Sequence, residues 1–265
     1  MSEAPIETRA ETRAKTCTAN PLCEEYMYPT MFGDAEVFTL ETDDGEPVRV
    51  LYVGGGFQSA TYLGERRFEP VFAYCRGIDC VFDLREVRSV LMIGGGAFSY
   101  PKHLLTSDDP RLQEASIDVV EIDSAIVDIA RRHFFLDEIE SQHGPAGTGR
   151  LSIIVGDGAE ALRSARSATY DVVVNDSFDG TNPTSGLLAP ETLSAAKRAM
   201  TDGGLYLVNV VFDMLENPER FTQALHKAFA HVYLLHCPDD DFAGSENDLV
   251  IAADAQVDLP GLMAI

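Results

Sequence analysis

Four apolar runs in this chain end in residues that can bind a ligand. Ser89-Val90-Leu91-Met92-Ile93 leads into Gly94, Gly95 and Gly96, and Val119-Val120 into Glu121. Leu151 to Val155 leads into Gly156, Asp157 and Gly158, and Tyr170 to Asn175 into Asp176, with Asp179 close behind. Glycines at the carboxyl end of a buried strand let the backbone turn tightly and approach a ligand, while an acidic residue closing the next strand can accept hydrogen bonds from both ribose hydroxyls. Together they describe a nucleoside site. The bare pattern Gly94-x-Gly96-x-x-Ser99 lacks a third glycine and equally fits an ordinary strand-to-helix turn. Glu121 adds weight to the nucleoside reading, because a carboxylate closing an apolar strand is costly unless solvated or paired. Asp176 and Asp179 also have a plain reading as a capped turn, since Asp and Ser favour turns and helix starts. Four neighbouring strand ends bearing glycine or carboxylate favour a common site.

The elements that position these residues follow from the pattern. From Val87 onward, apolar strands alternate with amphipathic helices, which predicts an α/β fold with a doubly wound, mostly parallel Rossmann-like sheet over 86–265. Ser124 is placed to cap a helix with Ile126, Ile129, Ala130 and Phe134 on its apolar face. Pro190-Glu191 opens another helix, expected to stop at Asp202-Gly203-Gly204, and Asn217-Pro218-Glu219 opens a third. Residues 37–85 alternate like strands around Asp43-Asp44-Gly45-Glu46 and Gly54-Gly55-Gly56, predicting a small antiparallel β-hairpin domain. The second glycine triplet is followed by β-prone residues, so it reads as a hairpin turn. Residues 1–36 mix charge and proline with little apolar periodicity and read as an arm, partly disordered or docked on a partner subunit.

Composition bounds the rest. The 265 residues, 45% of them hydrophobic, are enough for a full core. Twenty basic against 43 acidic residues give a net charge of −23, which disfavours nucleic acid and anionic membranes and is compatible with a cationic substrate. Five cysteines without Cys-x-x-Cys spacing read as reduced thiols, with neither a disulfide framework nor a zinc site. The six histidines are scattered and Ser99 and Ser177 lack a Gly-x-Ser-x-Gly setting, so neither a metal centre nor a serine hydrolase is expected. No apolar stretch is long enough to span a bilayer and Met1 to Lys15 is unlike a signal peptide, so a soluble cytoplasmic protein is expected.

The four strand ends also carry a family resemblance. Leu91-Met92-Ile93-Gly94-Gly95-Gly96, Val120-Glu121-Ile122-Asp123, Val155-Gly156-Asp157-Gly158 and Tyr170 to Asp179 resemble the successive motifs of spermidine synthases, the polyamine aminopropyltransferases. Leu51 to Gln58 is similar to that family's amino-terminal hairpin, and the resemblance covers roughly residues 47–236. It implies the class I S-adenosylmethionine-dependent methyltransferase fold, S-adenosylmethionine or its decarboxylated form as co-substrate, a small cationic amine as acceptor, no metal, and a homodimer. Carried over, Glu121 would bind the ribose hydroxyls, Asp157 the adenine amino group, and Gly158 would lie against the ring. Gln58 would touch the nucleoside from the hairpin. Asp176 would orient and deprotonate the attacking amine, Asp179 would hold a substrate ammonium, and Tyr74 falls near the family's site tyrosine.

This chemistry has a physical rationale. An amine with a pKa of about 10 in water must offer a lone pair to displace an alkyl group from a sulfonium, and a carboxylate within reach can take its proton and align it. One departure bears on which group is transferred. The family follows its glycines with an aspartate that binds the amino group of the aminopropyl chain; here the position is Ala97. Loss of a charge-assisted hydrogen bond costs about 1.5 to 3 kcal/mol, and removing a carboxylate relieves repulsion of the carboxylate of ordinary S-adenosylmethionine. The expectation is therefore a transferase moving an aminopropyl or methyl group to an amine. The alternatives are a methyltransferase with a non-polyamine acceptor and a catalytically silent nucleoside-binding scaffold.

Overall fold

The computed structural model describes residues 25–42, 45–179, 182–238 and 247–265, excluding the side chain of Asp179. Strands β1 (Tyr26–Thr30), β2 (Gly33–Glu41), β3 (Pro47–Val53) and β4 (Gly56–Tyr62) form an antiparallel sheet in that order. Ala35, Val37, Leu51 and Val53 are buried in one apolar cluster, and Val48, Val50 and Ala60 are buried in the main core, so both faces of this sheet are partly covered. Gly54 and Gly55, at φ of +62° and +90°, make the tight connection between β3 and β4, so this triplet is a hairpin turn, as its sequel predicts.

Two boundaries differ from expectation. The sheet begins at Tyr26, inside the stretch 1–36 read as an arm; β1 is short, contains Pro29 and stands at an edge, where proline is tolerated and periodicity is hard to see. Residues before 25 lie outside those described. The end of the 37–85 segment is helical: α1 (Ala73–Gly77) and α2 (Val81–Leu84) are joined by a 3₁₀ turn and pack beneath the larger sheet, with Gly77 against Cys237 and Leu249.

The larger unit alternates as predicted. Its elements run β5 (Ser89–Ile93), α3 (Ser99–Thr106), β6 (Ser116–Glu121), α4 (Ser124–His133), α5 (Leu136–His143), β7 (Leu151–Val155), α6 (Gly158–Ser164) and β8 (Tyr170–Asn175). A short ladder of β9 (Phe178–Asp179) and β10 (Asn182–Pro183) follows. Then come α7 (Pro190–Ala199), β11 (Met200–Val210), α8 (Pro218–Ala228), β12 (His231–Cys237), β13 (Asn247–Ala253) and β14 (Leu262–Ala264). The eight-stranded sheet has the order β14-β12-β13-β11-β8-β5-β6-β7. Pairs from β7 across to β11 are parallel and those from β11 outward are antiparallel. Val90, Met92, Val172 and Val174 face one apolar layer, and Leu91, Ile93, Val173 and Tyr206 face the other. Both faces are covered, which explains the continuous apolar strand runs. The strand order reverses at β5 and β8, and the crevice outside the carboxyl ends at such a reversal is where open α/β sheets bind ligands.

Local chemistry corrects two further details. Asp123, and not Ser124, caps α4, its Oδ1 accepting from the N–H of Ala125 at 2.9 Å while Oδ2 accepts from the N–H of Met31 at 2.6 Å. The residue before the helix already has a carboxylate, and the same group pins the small sheet to the large domain. Helix α7 ends at Ala199, and β11 starts at Met200 with a register shift before Leu205 that takes in Gly203 and Gly204. Among the described residues, Cys75, Cys80 and Cys237 are free thiols, and no helix is long and apolar enough to cross a membrane.

Behind the glycine turn, Lys102 of α3 is fully buried, its ammonium donating to the carbonyl of Phe134 at 2.9 Å and to Thr61 Oγ1 at 3.3 Å. Burial lowers its pKa to about 7. The folded chain therefore binds fewer protons here than the unfolded chain between pH 7 and about 10.5, so through this group stability rises with pH across that window and is reduced in full below it. Thermal unfolding across pH 6 to 10 should show Lys102→Met gaining stability relative to wild type as pH falls; parallel curves would contradict this.

Candidate active site

Each glycine of the first motif meets a different wall of the crevice. Gly94, at φ of +95°, lies so close to the next strand end that a Cβ there would stand 2.1 Å from the carbonyl oxygen of Asp176. Gly96, at φ of +49°, faces β4, where a Cβ would stand 2.6 Å from Ser59 Oγ and 3.7 Å from the Gln58 carbonyl. The left-handed backbone and the close approach both select glycine. Ser59 Oγ accepts from the N–H of Ala97 at 2.9 Å, so the small sheet is fastened to the loop itself. Phe98 continues the turn at φ of +57°, unusual for an aromatic residue, with its ring buried beneath Gly95.

Glu121 ends β6 facing this loop and is 6% exposed. Its Oε2 accepts from the N–H groups of Gly95 at 2.8 Å and Gly96 at 3.2 Å, and Oε1 accepts from the N–H of Asp123 at 3.0 Å. A buried carboxylate is thus aimed at the glycines, as the sequence pattern requires. Asp157 ends β7 as the exposed cap of α6, Oδ1 accepting from the N–H of Glu160 at 2.7 Å, and Gly158 packs against Ile93 of β5. Gln58 stands exposed on the β4 side of the loop with its Nε2 turned back 3.4 Å from the Val53 carbonyl.

Asp176, just past β8, is held from two sides. Tyr74 of α1 donates its hydroxyl to Oδ2 at 3.0 Å, and Asn209 of β11 donates its amide to Oδ1 at 2.7 Å. Desolvation raises the Asp176 pKa to about 7; the hydrogen bonds from Asn209 and Tyr74 pull it down, and the charge of Glu121 pushes it up. Burial, with Asp176 beside it, raises the Tyr74 phenol well above its ordinary value, keeping it a proton donor. A carboxylate with a pKa near neutrality and both oxygens oriented is suited to general-base work. Asp179 pairs its backbone with Asn182 in the β9–β10 ladder, while the expected role of its side chain lies outside the described residues.

Gly94 to Gly96, Glu121, Asp176 and Tyr74 therefore come together, with Asp157, Gly158 and Gln58 at the rim. Sequence reasoning missed Asn209 and its partner Asn247, which donates to Asn209 Oδ1 at 2.9 Å. The available signal was a lone amide inside the apolar run Leu205 to Val211, where an unpaired polar group is costly. Ala97 is fully buried in an apolar cluster with Ala35, Val37, Leu51 and Val53. Among the described residues, no three His, Cys, Asp or Glu side chains gather as a metal-binding group.

The family model described as the spermine/spermidine synthase domain matches residues 79–237, more than half of the chain. The chain belongs to this family. Within the family, it is 28% identical over 203 residues to spermidine synthase 2 of Arabidopsis thaliana, covering 70% of this chain and 57% of that protein. It is 31% identical over 118 residues to putrescine N-methyltransferase 1 of Nicotiana tabacum, covering 44% of this chain and 29% of that one. The chain spans about half the length of the curated spermidine synthase and aminopropyltransferases it matches. Its fold resembles the crystal structure of a probable spermidine synthase from Corynebacterium glutamicum, with a TM-score of 0.64 at 19% identity, covering 89% of this chain and 82% of that one. The spermine/spermidine synthase family thus shares with this chain the methyltransferase-like sheet expected from the four strand ends.

Gly94→Ala tests the loop. The added Cβ meets a backbone carbonyl and φ is positive, so a loss of about 2 kcal/mol or more is expected. Thermal unfolding should record it; a wild-type Tm would refute the packing described.

Proposed function

We propose that this protein transfers an alkyl group from a sulfonium nucleoside to the amino group of a small polyamine. The observation carrying this reading is the part-buried Asp176 carboxylate, held by Tyr74 and Asn209 at the strand-order reversal, beside a glycine loop that faces Glu121. The names of the relatives support it, since one is a spermidine synthase and another a putrescine N-methyltransferase.

The residues present fit a nucleoside. Gly94 and Gly96 let the loop pack closely against the Asp176 backbone and Ser59, and the buried Glu121 carboxylate lies against that loop. Glu121 would bind the ribose hydroxyls, Asp157 and Gly158 would serve the base, and Gln58 would reach in from the small sheet. The sulfonium supplies an alkyl group activated for displacement. A carboxylate has about four acceptor positions, and Glu121 already receives three backbone N–H groups, so a vicinal diol competes with Gly95 and Gly96. Binding is accordingly coupled to a small shift of the loop.

At the acceptor side, ionised Asp176 would take a proton from the amine and align its lone pair. Tyr74 and Asn209 fix the plane of the carboxylate, leaving remaining lone pairs for the amine. Asp179 would hold an ammonium of the acceptor. Such base catalysis and positioning contribute factors of about a hundred or more each.

Ala97 favours a second reading of the group transferred. Its methyl is enclosed by apolar neighbours and offers no partner to the ammonium of an aminopropyl chain, so the reading extends to S-adenosylmethionine as a methyl source. Calorimetry with S-adenosylmethionine, its decarboxylated form and methylthioadenosine separates the cases. Tighter binding of the carboxylated compound is expected, preference for the decarboxylated one overturns the argument from Ala97, and equal binding without turnover of any amine supports a scaffold.

Asp176→Asn should lower transfer by a factor of about a hundred or more while nucleoside affinity stays within a few fold. In wild type kcat/KM should climb as pH rises through about 7, because only ionised Asp176 accepts the proton. Unchanged turnover in the variant removes Asp176 from the mechanism.

A further inference from the structure

Asp176, Asn209 and Asn247 form a line across three neighbouring strands, on the face that also receives α1. Asn209 pairs with Leu249 across β11 and β13, which puts Asn247 diagonally beside it. The Asn209 amide has a donating and an accepting end. Its Nδ2 meets Asp176 Oδ1 at 2.7 Å, and its Oδ1 takes the Nδ2 of Asn247 at 2.9 Å. Turned over, it would set a carbonyl against the carboxylate and an NH₂ against an NH₂. The first contact is acceptable only if Asp176 carries a proton.

We propose that Asn209 and Asn247 are positioning residues that keep Asp176 in its proton-accepting form, with Asn247 fixing which end of the Asn209 amide meets the carboxylate. This rests on the reading of Asp176 as the base. Neither asparagine touches a reacting atom. The other groups facing Asp176 are Tyr74 and Cys75 of α1 and Glu121 of β6. Tyr74 donates to the second oxygen, Glu121 contributes like charge, and Cys75 is a buried thiol with its pKa raised by desolvation and by Asp176 itself. Among the described residues, Asn209 and Tyr74 are thus the groups that favour the ionised form against burial and Glu121.

Asn247→Leu keeps nearly the side-chain shape and removes the donor. The acid limb of kcat/KM should move up by about one pH unit, a loss of about tenfold at pH 6, with activity recovering as pH rises past the displaced limb. Asn209→Leu should move it further, and Asn247→Gln should restore it in part. A loss of kcat uniform across pH, or a fall in Tm with the limb unmoved, overturns the proposal. The carboxyl ¹³C resonance of Asp176, assigned with Asp176→Asn, titrates without turnover. An unmoved midpoint in Asn247→Leu refutes the role of the asparagines, whereas a moved midpoint in a protein that alkylates no amine upholds it and refutes only the catalytic reading.

Discussion

A carboxylate partly withdrawn from water and held by two neutral hydrogen-bond donors is the constraint around which this molecule is arranged. Asp176 needs Tyr74 from below the sheet and Asn209 from the neighbouring strand at one point. That requires α1 to pack against β12 and β13, β8 to lie between β5 and β11, and Gly94 to pass close to the Asp176 carbonyl. The arrangement works against stability. Because the folded pKa lies above the ordinary value of 3.8, Asp176 contributes stability that is fully present below that value and is lost as pH rises through about 7. At neutral pH the fold is strained by the ionised state that the proposed base role would require, a conflict common where function needs a destabilised group.

The glycine turn shows the same economy with fewer partners. The N–H groups of Gly95, Gly96 and Ala97 are satisfied by Glu121 and Ser59, so the turn is not left with orphaned donors. The small sheet holds the loop through Ser59 and holds α4 through the Met31 N–H on Asp123. Apolar contact among Ala35, Val37, Leu51, Val53, Ala97, Ile126 and Ile129 completes the joint.

Much of this was legible in the sequence because parallel strands buried on both faces are written as short apolar runs, and their carboxyl ends stand out where the run breaks. Glycine, Glu121, Asp157 and Asp176 mark those breaks. Asn209 was not legible as a partner of Asp176, since nothing local says which amide in a strand meets a side chain on the neighbouring strand. Asn247 adds the difficulty that its contact is diagonal, a product of β11–β13 register. Tyr74 could be proposed only from the family resemblance, for its approach to Asp176 spans 102 positions of sequence. The misplaced cap at Ser124 has a local cause: Asp123 has the better geometry and a second task at the hairpin tip.

The proposed proton transfer faces an apparent obstacle, because a carboxylate with a pKa of about 7 is a weak base toward an ammonium with a pKa of about 10. Three units correspond to about 4 kcal/mol against transfer. The obstacle would shrink where the amine is desolvated, and Lys102 illustrates the direction. Lys102, a primary amine enclosed by this protein and granted two oxygen partners, has its pKa lowered to about 7. Desolvation moves a carboxylic acid up and an ammonium down, so an acceptor amine enclosed beside Asp176 approaches the same proton affinity as its base. In the proposed mechanism, desolvation by the bound substrates would free the lone pair more than any special basicity of Asp176, while the hydrogen bonds from Tyr74 and Asn209 lower the Asp176 pKa against burial.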